Sequence, residues 1–98
     1  MPKIALSSKA ESDLDGINEH YEGLVGAELG EAAVFHILNC LEMLERFPNA
    51  GNASPVPDCR ELIITTYPYR ATYSLQGDRV MVFRILHQHS ERREDWYR

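Results

Sequence analysis

The sequence predicts an α/β fold of the α+β kind: a helical hairpin packed on an antiparallel sheet, in the order strand, helix, helix, strand, strand, strand. Three observations carry the prediction. Apolar residues recur at helical spacing through two consecutive stretches before Pro48. Glycines separate those stretches and a proline-rich loop ends them. From Arg60 onward the apolar period drops from about 3.6 residues to about 2, and Ile, Val, Thr, Tyr and Phe become frequent.

The elements follow in order. "KIALS" is short, apolar and alternating, as a strand requires. In "SKAE", Ser8 is placed to cap a helix and Glu11 to return a bond to the cap's N–H, a reciprocal capping box. Beyond it Ala10, Leu14, Ile17, Tyr21 and Leu24 fall on one face of a helix over about residues 9–24. "GLVGAELG" permits a reversal. A second helix then runs to about residue 47, where Pro48 and "PNAGNASPVP" forbid continuation. Its stripe is Val34, Ile37, Leu38, Leu41 and Leu44, widened by Cys40, Met43 and Phe47, so it is expected to touch both the first helix and the sheet. "RELIITT", "YRATYSL" and "RVMVFRILH" read as three strands, the last two joined by the turn "QGD". In the middle one, Tyr69, Ala71, Tyr73 and Leu75 make a core face, and Arg70, Thr72 and Ser74 a wet face. The last strand is apolar on both faces except for Arg84, which places it near the middle of the sheet with Arg84 on a partly open side. "ERREDWYR" has room for a short closing helix.

Composition narrows the function. The 98 residues fit one domain, residues 1–98, able to bury roughly two-thirds of the surface of its unfolded chain. No stretch approaches the roughly 18 apolar residues of a membrane span, and the opening turns charged too soon for a signal peptide, so a cytoplasmic protein without membrane contact is expected. The net charge is −5, from 10 Lys+Arg against 15 Asp+Glu, the wrong balance for affinity built on phosphate neutralisation; direct, specific nucleic-acid binding is not expected. The charge is uneven. Residues 11–45 are acidic and hold no lysine or arginine, while most of the base lies from Arg70 onward. Cys40 and Cys59 lack CxxC spacing and read as buried thiols, and His87 and His89 lack a nearby third ligand; neither a metal nor a cofactor is expected.

The stretch "RILHQHSERREDWYR" gathers the remaining chemistry. His87 leaves a core strand, where an imidazole usually bonds to nearby backbone. His89 titrates near neutrality and is suited to acid–base work only beside other cations. Arg92 and Arg93 can pair with the neighbouring acids in solvent, but Trp96 beside Tyr97 argues for docking, because arginine and tryptophan carry interface energy.

In this order, "RFPNAG", "REL", "YRATY" and a strand ending "ILH" resemble the RelE/ParE toxin superfamily of type II toxin–antitoxin modules, and its ParE branch most. The resemblance spans nearly the whole chain. It implies one of two activities: ribosome-dependent mRNA cleavage, as in RelE-like members, or poisoning of DNA gyrase with growth arrest, as in ParE-like ones. In both, a cognate antitoxin silences the toxin with an extended segment, giving a toxin–antitoxin hetero-oligomer and a module that stabilises plasmid or genome. Metal-free RNA cleavage needs several cations to stabilise a doubly charged phosphorane. The two nuclease lysines fall, by spacing from Arg70, on Glu61 and Ile63, neither of which is cationic. Arg70 matches the nuclease arginine, with His87, His89 and Tyr97 as the other catalytic residues if the chain is a nuclease.

The sequence therefore favours a gyrase inhibitor that acts by binding and is not an enzyme. Charge and expected exposure point to Arg70, Arg84, His89, Arg92, Arg93 and Trp96 as target contacts. The apolar hairpin points to Leu14, Ile17, Tyr21, Leu38 and Leu41 as the antitoxin groove.

Overall fold

Ser7 organises the start of the fold. Its backbone is extended and its Oγ accepts the N–H of Ala10 at 3.0 Å, so α1 (Ser8–Val25) begins one residue earlier than the sequence suggests. The residue three past this cap is Ala10, whose side chain has no polar group, and the expected capping box through Glu11 does not form. The computed structural model describes residues 3–64 and 66–88.

At the hairpin tip Gly26 takes φ +102°, a backbone that side chains rarely adopt, and its N–H caps α1 on the carbonyl of Glu22 at 3.0 Å. The next helix, α2 (Ala27–Glu42), therefore starts without a loop. Gly30 lies inside α2, where a Cβ would stand 2.8 Å from the backbone oxygen of Asn18; its absence lets the two helices touch. The α-helix stops at Glu42 and tightens into a single 3-10 turn, Met43–Glu45, short of the expected residue 47. Met43 and Phe47 leave the stripe as a result and are exposed.

The sheet holds β1 (Lys3–Leu6), β2 (Asn52–Ala53), β3 (Arg60–Ile63), β4 (Tyr69–Gln76) and β5 (Arg79–His87), in the order β1-β5-β4-β3-β2. β5 has a neighbour on each side, as its two-faced apolar pattern predicts. The sheet is mixed rather than wholly antiparallel, because β1 runs parallel to β5 (Lys3 opposite Arg79, Leu6 opposite Val82). β2 is an addition to the predicted set; Asn52 and Ala53 show no strand pattern and pair only because Arg60 and Glu61 stand beside them.

A bulge shapes β5. Thr72 faces Arg84 and Tyr73 faces Val82, leaving Phe83 as the extra residue. The bulge shifts the alternation, so Ile85 joins Val80 and Val82 in the main core. The backbone groups it frees find partners at the start of the hairpin: Ser7 Oγ donates to the Phe83 carbonyl at 2.7 Å, and the Ile85 N–H donates to Asp13 Oδ2 at 2.9 Å.

The main core fills the space between hairpin and sheet. Ala10, Leu14 and Ile17 from α1 and Ala33, Ile37 and Leu41 from α2 meet Tyr69, Ala71, Tyr73, Val80 and Val82. On the other face Val56 and Cys59 pack on Phe83 and Leu86. The supposed wet face of β4 is therefore closed: Arg70 and Thr72 are each 1% exposed and Ser74 8%, while Leu75, assigned to the core, is 48% exposed near the strand's end. Both cysteines are free thiols, Cys59 buried and Cys40 half-buried. Among the described residues no helix is long and apolar enough to cross a membrane.

Candidate functional site

Among the described residues, Arg70 is the one that both toxin readings share, and it is 1% exposed. It leaves β4 on the face away from the helices. Its Nε stands 3.3 Å from Glu61 Oε2 on the adjacent strand β3, with side chains 1% and 6% exposed. Its Nη1 donates to the backbone carbonyls of His87 at 2.6 Å and Gln88 at 2.8 Å. The expectation that Arg70 lies on an open face, free to touch a target, is corrected by this burial. Glu61, which the sequence marked only as the wrong charge for a nuclease, is its counter-ion.

The chain at Gln88 is held from several sides. Its N–H donates to the Pro68 carbonyl at 2.7 Å and its Nε2 to the Ile64 carbonyl at 3.3 Å, in addition to the bond its own carbonyl receives from Arg70. The end of β5 is thereby fastened to the turn that joins β3 and β4.

Arg84 is likewise not an unengaged cation on an open side. It forms a two-pronged pair with Asp13 of α1, Nε to Oδ2 at 2.8 Å and Nη2 to Oδ1 at 3.0 Å. The bonds to Asp13 hold its pKa above the usual arginine range against the opposing pull of burial. Asp13 was missed in the sequence. The available signal was its position: it lies three residues after Ala10 and four before Ile17, on the border of the apolar stripe, where an acid needs a partner.

His87 is exposed, and its ring meets the edge of Tyr69 at 5.9 Å between centroids. Tyr69 in turn faces Tyr21, which meets Tyr67 at 5.4 Å, and Tyr67 lies 5.5 Å from His36. This aromatic row runs from the end of β5 to both helices. Burial, with a smaller contribution from the bond to Tyr21, pushes the Tyr69 hydroxyl up to about 12. No group of three or more His, Cys, Asp or Glu side chains is placed to hold a metal among the described residues.

The hairpin does carry a groove, shifted from where its apolar stripe suggests. Ile17 and Leu41 are buried in the core, and Tyr21 belongs to the aromatic row. Leu14 and Leu38 reach a surface groove of about 250 Å³ together with Asp15, Asn18, Glu31, Val34 and Phe35. Phe35 was absent from the predicted stripe and is 66% exposed. The sequence signal was a large aromatic four residues after Glu31 and three before Leu38, at the acidic border of the α2 stripe. The remaining candidates, His89, Arg92, Arg93, Trp96 and Tyr97, and the expected closing helix over residues 91–98, lie outside the described residues.

Comparison with known proteins agrees with this architecture. A family model described as the ParE toxin of the type II toxin–antitoxin system parDE matches residues 4–92. No curated protein sequence matches the chain. Among solved structures, a chain of the chromosomal ParDE toxin–antitoxin system from P. aeruginosa is similar with a TM-score of 0.83 and 31% identity, over 89% of this chain and 96% of that one. A hairpin on a mixed sheet, matched in sequence from the first strand past the last, places the chain in the ParE toxin family of type II toxin–antitoxin systems.

Proposed function

We propose that this ParE-family toxin inhibits DNA gyrase by binding it, and that a cognate antitoxin silences it by occupying the hairpin groove. The observation that carries the first half is the state of Arg70. Cleaving RNA without a metal requires cations facing the scissile phosphate. Arg70, the clear match to the nuclease pattern, is 1% exposed and pairs with Glu61 at a position where a nuclease carries a lysine. A binding toxin needs no such cluster. Its target contacts are the segment from His89 onward, with Arg92, Arg93 and Trp96, while Arg70 and Arg84 act through the fold. Gyrase and the antitoxin both meet the protein in the cytoplasm.

The antitoxin half is supported by the groove beside Phe35, apolar on its floor and suited to an extended or helical segment. Phe35→Ser leaves the core intact and should weaken antitoxin binding about tenfold, close to 1.4 kcal/mol. Unchanged affinity by calorimetry places the antitoxin elsewhere.

The deciding experiment adds purified protein to two reactions. It should inhibit gyrase supercoiling and accumulate cleaved DNA, and it should leave ribosome-bound mRNA intact. Cleavage of mRNA in the ribosome with gyrase unaffected overturns the proposal in favour of the nuclease. In cells, induction should give filamentation and a DNA-damage response before translation falls.

A further inference from the structure

The hairpin groove carries polar chemistry that its apolar floor does not use. The floor is Leu14 of α1 with Val34, Phe35 and Leu38 of α2. Beside it stand two exposed carboxylates, Asp15 from α1 and Glu31 from α2. Among the described residues neither lies within ion-pair distance of a cation, whereas Asp13, two positions before Asp15, is taken up by Arg84. Nothing along the hairpin offsets them, because residues 11–45 hold nine acids and no lysine or arginine. Asn18 adds a third oxygen to the lining: its Oδ1 is buried, without a hydrogen-bond partner among the described residues.

These features restrict the occupant. A second copy of this chain would bring a net charge of −5 toward carboxylates that are already uncompensated. A wholly apolar segment would strip water from Asp15 and Glu31 and return nothing. A basic side chain between apolar ones suits floor and rim together.

We propose that the groove selects an antitoxin segment with a lysine or arginine flanked by apolar side chains, the apolar groups seated on Leu14, Val34, Phe35 and Leu38 and the cation held between Asp15 and Glu31. The proposal rests on the reading of this groove as the antitoxin site and adds the rule by which the groove tells one segment from another. The floor supplies most of the affinity, and the rim supplies the choice, since a segment with glutamate at that position meets two like charges.

The test pans a phage-displayed library of random segments of about 14 residues, near four helical turns, against the full chain, and discards clones that bind Phe35→Ser equally well. Surviving clones should carry a lysine or arginine with apolar neighbours within one helical turn about threefold more often than the unselected library. A synthetic peptide of the strongest clone, followed by fluorescence anisotropy, should lose about tenfold in affinity when its basic residue becomes glutamate, and less than about twofold on protein carrying Asp15→Asn with Glu31→Gln. Clones that need Phe35 but show no basic preference, or a preference that survives Asp15→Asn with Glu31→Gln, overturn the proposal and leave the groove reading in place. No Phe35-dependent clone, or a dimer in sedimentation that Phe35→Ser abolishes, defeats the groove reading itself and the charge rule with it.

Discussion

Two arginine–carboxylate pairs brace the sheet, one tying it to the hairpin and one joining two of its own strands, and the pairs differ in nearly every respect that matters. On the hairpin side, Arg84 and Asp13 remain 24% and 16% exposed, meet through two short bonds, and join a helix to a bulged strand. Within the sheet, Arg70 and Glu61 are 1% and 6% exposed, meet at 3.3 Å, and join neighbouring strands that are already paired by their backbones. The first pair also serves the bulge, because Asp13 accepts the Ile85 N–H that the bulge leaves over, beside the bond from Ser7 to the Phe83 carbonyl. The second adds little to an existing ladder. Its cost in desolvation is larger, and what it yields is the fixed end of β5. The more exposed pair thus ties a helix to a strand, and the enclosed one ties strand to strand beside the end of β5.

The sharpest way to break this comparison is to split the enclosed pair. Arg70→Met or Glu61→Leu alone leaves a buried charge without its partner and should cost about 3–5 kcal/mol in chemical denaturation, whereas the two together should cost far less. If the double variant is as unstable as either single one, the pair holds the fold up and the contrast fails.

A smaller loss is expected on the hairpin side. Asp13→Ala removes the bonds to Arg84 and to the bulge and should cost about 2 kcal/mol; Arg84→Met, which spares the bulge bond, should cost about 1 kcal/mol. Equal losses would mean that the ion pair, and not the bulge anchor, carries the stability.

Alkaline titration probes the end of β5, where Tyr69 stands opposite His87. The Tyr69 pKa is raised from an ordinary 10.0 to about 12, so the folded state keeps a proton that the unfolded chain releases. Its contribution is complete below pH 10 and is lost as pH rises toward 12, roughly 1 kcal/mol by pH 11. Absorbance at 295 nm should show a late tyrosine, and Tyr69→Phe should remove that step. Release of every tyrosine proton near pH 10 would show that the aromatic row is open to water.

Salt should produce the smallest effect. Raising it to about 0.5 M, where the Debye length is roughly 4 Å, should lower the contribution of the Arg84–Asp13 pair by a few tenths of a kcal/mol and leave that of Arg70–Glu61 unchanged. Measured as the difference between parent and Arg84→Met, a loss above about 1 kcal/mol would place the hairpin pair in a far more polar setting than its exposure implies. Antitoxin binding should weaken only modestly over the same range, since apolar Leu14, Val34, Phe35 and Leu38 line the proposed groove.

Much of this molecule was legible in one dimension. The spacing of Ala10, Leu14 and Ile17, the break at Gly26, the stop before Pro48 and the alternation of "YRATYSL" each depend on neighbours within a few residues, so periodicity and turn chemistry determined both helices and the three later strands. The order of "REL", "YRATY" and "ILH" was enough for the family. Other features depended on residues far apart in the chain. The parallel seat of β1, the strand at Asn52–Ala53, the bulge at Phe83 and the partner of each arginine arise only when Lys3 meets Arg79, or Asp13 meets Arg84. A period of two states which side chains share a face, and it is silent on what lies against that face. Arg70, Thr72 and Ser74 look polar and therefore wet in sequence; the tertiary structure decided that they are buried, because Val56 and Cys59 pack across the side where solvent was expected and Glu61 supplies the charge that burial demands.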